Sequence, residues 1–153
     1  MKKFLCGSNY FFGRYKDYNL HDYDYIIIKE DDESGDDYKD IHDIKRNIDY
    51  FIWKKKTPDW HVNRLLNEVR FPPDIGHLLI PGVNKLLGIT IDHLKKLAPI
   101  LDELWDDYYG LYNYDKIIYE AYIKNNAFIL TNDQRLHAYK VYKEARKDRY
   151  NIK

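Results

Sequence analysis

Two short clusters near the start of the chain carry the side chains best suited to phosphate and metal chemistry. The first is Phe4-Leu5-Cys6-Gly7-Ser8, an apolar run that stops at a small, flexible pair. The second is Asp22-Tyr23-Asp24-Tyr25-Ile26-Ile27-Ile28, where two carboxylates take alternate positions before an apolar block. In a strand, that alternation sends Asp22 and Asp24 to one side with their Cα atoms roughly 7 Å apart. Carboxylates held so close repel each other, and paired acids of this kind are a common way to seat magnesium beside a polyphosphate. A third acid, Asp49, sits in Ile48-Asp49-Tyr50-Phe51-Ile52-Trp53. Alternation there puts Ile48, Tyr50 and Ile52 on one face and Asp49, Phe51 and Trp53 on the other. A lone carboxylate among aromatic residues needs a partner, and a shared metal is one candidate.

These residues need strands and a turn to hold them. Residues 2–6 read as a short strand, and Ser8 reads as the N-cap of a helix through Phe12 that Gly13 weakens. Residues 14–21 read as a polar, tyrosine-rich loop, residues 22–29 as a central strand, and the acidic run 30–37 as a solvated loop. Residues 41–47 lead into the strand at 48–53. From Thr57 the pattern becomes helical: Pro58 opens a helix that runs to Arg70, and residues 73–82 form a loop around Leu78-Leu79-Ile80. Residues 84–87 form a helical turn ended by Gly88. Thr90 caps a helix to about residue 109 that Pro99 kinks or splits. Further helices cover 114–125 and 133–149, the last announced by a capping box from Thr131 to Gln134. The expected fold is α+β: a small mixed sheet in the N-terminal third carrying the active site, packed against a helical C-terminal portion. The 153 residues suit one domain, with a sheet-rich part at 1–56 and a helical part at 57–153.

Gly7-Ser8, thirteen intervening residues, then Asp22-Tyr23-Asp24-Tyr25 and a later strand with Asp49 resemble the signature of the nucleotidyltransferase superfamily, the DNA polymerase beta-like fold. Within it, the first third of the chain is similar to predicted nucleotidyltransferases of bacteria and their phages. The resemblance implies that Gly7 and Ser8 hold the triphosphate. It implies that Asp22, Asp24 and Asp49 bind magnesium or manganese and form the catalytic set. Arg14 and Lys16, between the motifs, could reach phosphate oxygens or simply be solvated. The competing reading of the acids is structural: Asp22 caps a strand, Asp24 pairs with Arg14 or Lys16, and Asp49 pairs with a lysine. His21 could stand behind Asp22, but the histidines show no metal-ligand spacing.

Composition removes other classes. The 25 basic and 25 acidic residues cancel, so no global field points to nucleic acid or membrane. No apolar run approaches the roughly 20 residues of a membrane span, and the single cysteine, Cys6, reads as a buried strand residue suited to a reducing cytoplasm. The sixteen tyrosines fit an AT-rich genome as readily as a nucleotide pocket. The expectation is a cytoplasmic enzyme that uses a nucleoside triphosphate, ATP in the first instance, to transfer AMP to an acceptor hydroxyl on a protein, an RNA or a small molecule. The alternative is a catalytically silent nucleotide-binding or toxin–antitoxin interaction module of the same fold, whose tyrosine-rich helices would meet a partner. A third reading is a nucleic-acid binder that uses Lys54, Lys55 and Lys56 with Trp53 and Trp60.

Overall fold

The computed structural model describes residues 1–18, 23–67, 75–101 and 113–151. Four strands form one mixed sheet: β1 (Lys2–Cys6), β2 (Tyr23–Lys29), β3 (Tyr38–Asp43) and β4 (Ile48–Lys54), in the order β1-β2-β4-β3. β2 and β4 run parallel at the centre, and β1 and β3 pair antiparallel at the edges. A short helix α1 (Gly7–Phe12) leaves β1 directly. Beyond β4 the described residues are mainly helical, with α2 (Pro58–Asn67), a 3-10 turn at His77–Leu79, α3 (Pro81–Leu87), α4 (Ile91–Lys95), α5 (Asn113–Asn125) and α6 (Asn132–Asn151). Among the described residues no helix is long and apolar enough to cross a membrane.

Register gives the sheet two unlike faces. Lys2, Phe4 and Cys6 of β1 share a face with Asp24, Ile26 and Ile28 of β2 and with Asp49, Phe51 and Trp53 of β4. The helices pack on this inner face: Phe51 lies 4.3 Å from the His77 ring and Trp53 5.6 Å from His61. Cys6, Ile26 and Trp53 are fully buried there. Gly82 near the start of α3 allows close approach to β1, since a Cβ at that position would meet the Phe4 ring at 2.7 Å. The outer face carries Lys3, Leu5, Tyr23, Tyr25, Ile27, Tyr50 and Ile52, and none of these is buried.

Several local signals act as expected. Thr57 Oγ1 accepts from Trp60 N at the start of α2. Thr90 and His93 form a capping box on α4. Thr131 and Gln134 close another on α6, with Gln134 N donating to Thr131 Oγ1 at 3.1 Å and Thr131 N to Gln134 Oε1 at 2.9 Å. Other expectations are corrected. Cys6, not Ser8, is the N-cap of α1, and no side chain caps that end. Strand β3 has no counterpart among the expected elements, because Tyr38 and Ile41 fall on opposite faces and leave no apolar alternation; pairing with β4 makes it a strand. The segment at 73–82 is only partly a loop, since His77–Leu79 forms a 3-10 turn and Pro81 opens α3. The helix expected to span 91–109 stops at Lys95, turns, and resumes at residue 98, with Pro99 in the first turn of the new segment where its missing N–H is harmless. Residues 102–109 lie outside the described residues.

Candidate active site

At one rim of the sheet four residues fall in a single row across the strands. Cys6 of β1 is paired with Asp24 of β2, Asp24 with Asp49 of β4, and Asp49 with His42 of β3. Asp24 and Asp49 therefore stand directly opposite each other on parallel strands, roughly 4.8 Å apart along the hydrogen-bonding direction. Like charges so placed destabilise a sheet, so the pair is not explained by strand pairing. Asp49 is held from its other side, where His42 Nδ1 lies 2.6 Å from Asp49 Oδ1. Asp24 is bounded by Gly7, whose φ of +68° belongs to the left-handed region. A Cβ on Gly7 would stand 3.0 Å from Asp24 Oδ2. Glycine is thus required twice over, by its backbone angle and by the carboxylate packed against it.

Ser8 follows Gly7, and its hydroxyl lies 2.8 Å from the Tyr18 hydroxyl. Tyr18 donates its own proton to Asn9 Oδ1 at 2.8 Å, which leaves Ser8 as the donor to Tyr18. The tyrosine-rich stretch after α1 is strapped onto α6. Tyr15 stacks on Tyr139 with centroids 4.4 Å apart, and Asp17 accepts from the Tyr139 hydroxyl at 2.6 Å and from Lys143 at 3.1 Å. Those two bonds hold the Asp17 carboxyl below the usual carboxylate range. Arg14 and Lys16 are exposed and make no hydrogen bond or ion pair among the described residues, so the pairing of either with Asp24 is not seen. Nor does Asp49 pair with a lysine; its partner is His42. Asp22 and His21 lie outside the described residues.

Below the row sits an acid that sequence reasoning missed. Asp115, in the first turn of α5, is 3% exposed, and its carboxylate oxygens lie 3.3 and 3.4 Å from where a Cβ on Gly76 would stand. Burial alone pushes its pKa up to about 8. Burial first, then the charges of Asp24, Asp115 and Asp49, hold the Cys6 thiol well above its ordinary pKa, so Cys6 is an inert buried thiol. His42 escapes a sequence reading for the same reason as β3; without that strand nothing sets it opposite Asp49.

The basic cluster after β4 turns out to neutralise the acidic run. Lys54 and Lys56 pair with Asp37 at 3.7 and 3.6 Å, and Lys56 also pairs with Asp31. Trp53 is buried, while Trp60 helps line a concavity of about 550 Å³ with Tyr38 and Arg64. Two of the three lysines are therefore engaged within the chain.

Carboxylate oxygens suit a hard divalent cation. Asp24 and Asp49 supply two such groups side by side, and among the described residues no group of three or more His, Cys, Asp or Glu is gathered to hold a metal. The comparisons with known proteins add no relative: no family model matches the chain, and no match is found among curated proteins or solved structures.

Proposed function

We propose that the chain is a divalent-metal-dependent nucleotidyltransferase that moves a nucleoside monophosphate, AMP from ATP, to an acceptor hydroxyl. One observation carries the reading: Asp24 and Asp49 are in register on adjacent parallel strands, with the obligatory glycine of Gly7-Ser8 packed on Asp24. Asp24 and Asp49, with Asp22 preceding them on the chain, would hold the cation, which neutralises the polyphosphate and assists pyrophosphate departure. The Ser8 hydroxyl keeps lone pairs beyond its bond to Tyr18 and can turn to donate to a phosphate oxygen. The acceptor oxygen bonds to the α-phosphorus as the bridge to the β-phosphate breaks. The hydroxyl proton goes to Asp49, and His42 orients that carboxylate through its bond to Oδ1. Positioning and charge stabilisation account for most of such a reaction.

The test is transfer of label from α-labelled ATP, with magnesium, to RNA, protein and small-molecule acceptors. Asp24→Asn and Asp49→Asn are each expected to lower transfer about 100-fold or more. His42→Gln is expected to act as a positioning change, with a smaller loss and an altered pH profile. Wild-type protein that binds no ATP and releases no pyrophosphate would sink the proposal. Binding without turnover would replace it with the silent nucleotide-binding module.

A further inference from the structure

The outer face of the sheet holds an aromatic platform that the acid row does not use. Tyr25 and Tyr50 are direct cross-strand neighbours with centroids 6.1 Å apart and planes within 21°, and Tyr23 lies 6.1 Å from Tyr25 at 17°. Lys3 places its ammonium 4.3 Å from the Tyr25 centroid and 5.9 Å from that of Tyr50. Register puts Lys3 and Lys39 at the two ends of one row across the sheet, and both are exposed and without an ion pair among the described residues. The hydroxyls of Tyr23, Tyr25 and Tyr50 make no hydrogen bond among the described residues; those of Tyr15 and Tyr142 make none either, while those of Tyr18, Tyr119, Tyr122 and Tyr139 do, so what sets the platform apart is its place on the uncovered face beside two lysines.

From this we infer that the outer face binds single-stranded nucleic acid, with bases stacked on Tyr25, Tyr50 and Tyr23 and phosphates met by Lys39 and by Lys3, whose ammonium must swing off the Tyr25 ring face as a base takes its place. Rings alone would fit any apolar partner, and the lysines and open hydroxyls decide among partners. A second copy of the chain packed dry on this face would bury three unbonded phenols and two ammonium groups, at a cost of a few kcal/mol for each unpaired group. A single strand offers each of them a complement: ring faces for the tyrosines, phosphate charge for the lysines, base and sugar edges for the hydroxyls. A duplex does not, because its base faces are already stacked inside. The platform lies on the opposite face from Asp24 and Asp49, so the inference stands or falls apart from the transferase reading.

Fluorescence anisotropy of the full chain with a labelled oligouridylate of about 12 nucleotides, and with its deoxy counterpart, tests it. The wild type is expected to bind at about 50 mM salt and to weaken steeply by about 200 mM. Tyr25→Leu, which keeps apolar bulk but removes the ring, is expected to weaken binding about 10-fold. The double variant Lys3→Glu, Lys39→Glu is expected to reduce the salt slope by about 0.7 for each phosphate no longer neutralised. These surface lysines leave the core untouched, so the second variant carries the test if the first fails to fold. Three results would overturn the inference: no binding at low salt, binding that neither variant changes, or sedimentation showing a dimer that Tyr25→Leu dissociates.

Discussion

The two faces of the sheet are built from alternate residues of the same strands, yet they treat polar atoms in opposite ways. On the inner face Tyr38 shares a hydrogen bond with His61 Nδ1, His61 Nε2 accepts from Lys56 N, and His42 holds Asp49. On the outer face Tyr23 is exposed and Tyr25 and Tyr50 are half-buried, with all three hydroxyls unbonded among the described residues. Burial enforces the bonds around His61, since an unpaired polar group away from water costs about 1–3 kcal/mol, whereas the His42–Asp49 pair stands at the exposed rim of that face. Water can satisfy the outer hydroxyls, so folding does not require them to be bonded, while the cross-strand Tyr25–Tyr50 pair still steadies the sheet by about 0.2–1 kcal/mol. The contrast is incomplete inside, where Trp53 Nε1, His77 Nδ1 and both amide atoms of Asn84 are buried without a partner among the described residues.

The largest expected difference between the faces is in stability. Trp53→Ala removes a fully buried indole and should cost about 3–5 kcal/mol, read by denaturant unfolding. Tyr50→Ala, on the same strand but the other face, should cost clearly less; equal losses would mean that the outer face is covered.

Buried titratable groups supply the next effect. Burial first, then Arg64, lowers the pKa of His77 from 6.5 to about 3, and burial followed by Arg64 and Lys56 lowers that of His61 to about 4. Both imidazoles stay neutral in the fold while the unfolded chain takes up their protons, so their contribution to stability is lost as pH falls below 6.5. Asp115 works in the other sense. Its folded pKa of about 8 lies above the unfolded 3.8, so the fold binds the extra proton and stability declines as pH rises from 3.8 towards 8. The sum is a stability maximum near pH 6.5, falling by about 1 kcal/mol per pH unit on the alkaline side. Asp115→Asn should abolish that alkaline decline in thermal unfolding measured across pH, and a decline that persists in the variant would rule Asp115 out as its source.

Gly7→Ala should follow, losing about 1–2 kcal/mol for a left-handed residue with a Cβ. The same variant should disturb Asp24 at 3.0 Å and so lower any transferase activity more than its loss of stability explains. The smallest effects sharpen the comparison most directly. Tyr122→Phe loses a buried bond to Leu79 O and should cost about 1 kcal/mol, whereas Tyr25→Phe should be nearly neutral. A comparable loss at both positions would show that the Tyr25 hydroxyl has a partner within the fold.

Three of the four strands and the starts of α2, α4 and α6 were legible because their signals are local, whereas Pro81 at the head of α3 reads as loop in the sequence. Alternation marks β2 and β4, Thr57-Pro58 opens α2, and Thr131 with Gln134 closes a capping box on itself. Alternation likewise put Asp49 on the face of Phe51 and Trp53, whereas a shared site for Gly7 and Asp24 was implied only by the family resemblance and their contact emerged from the fold. Strand β3 could not, because its edge position is maintained by backbone bonds to β4 rather than by any pattern in Tyr38-Lys39-Asp40-Ile41-His42-Asp43.

The sequence by itself determined that β1, β2 and β4 extend, that the chain after Thr57 is mainly helical, and how acidic and aromatic residues alternate along the two central strands, since period and capping act within a few residues. Tertiary structure alone decided that Cys6, Asp24, Asp49 and His42 form one row, that Asp115 is buried below it, and that Tyr25 and Tyr50 share an open face. The physical reason is that register and burial depend on which elements become neighbours, and no local propensity encodes a neighbour far away along the chain.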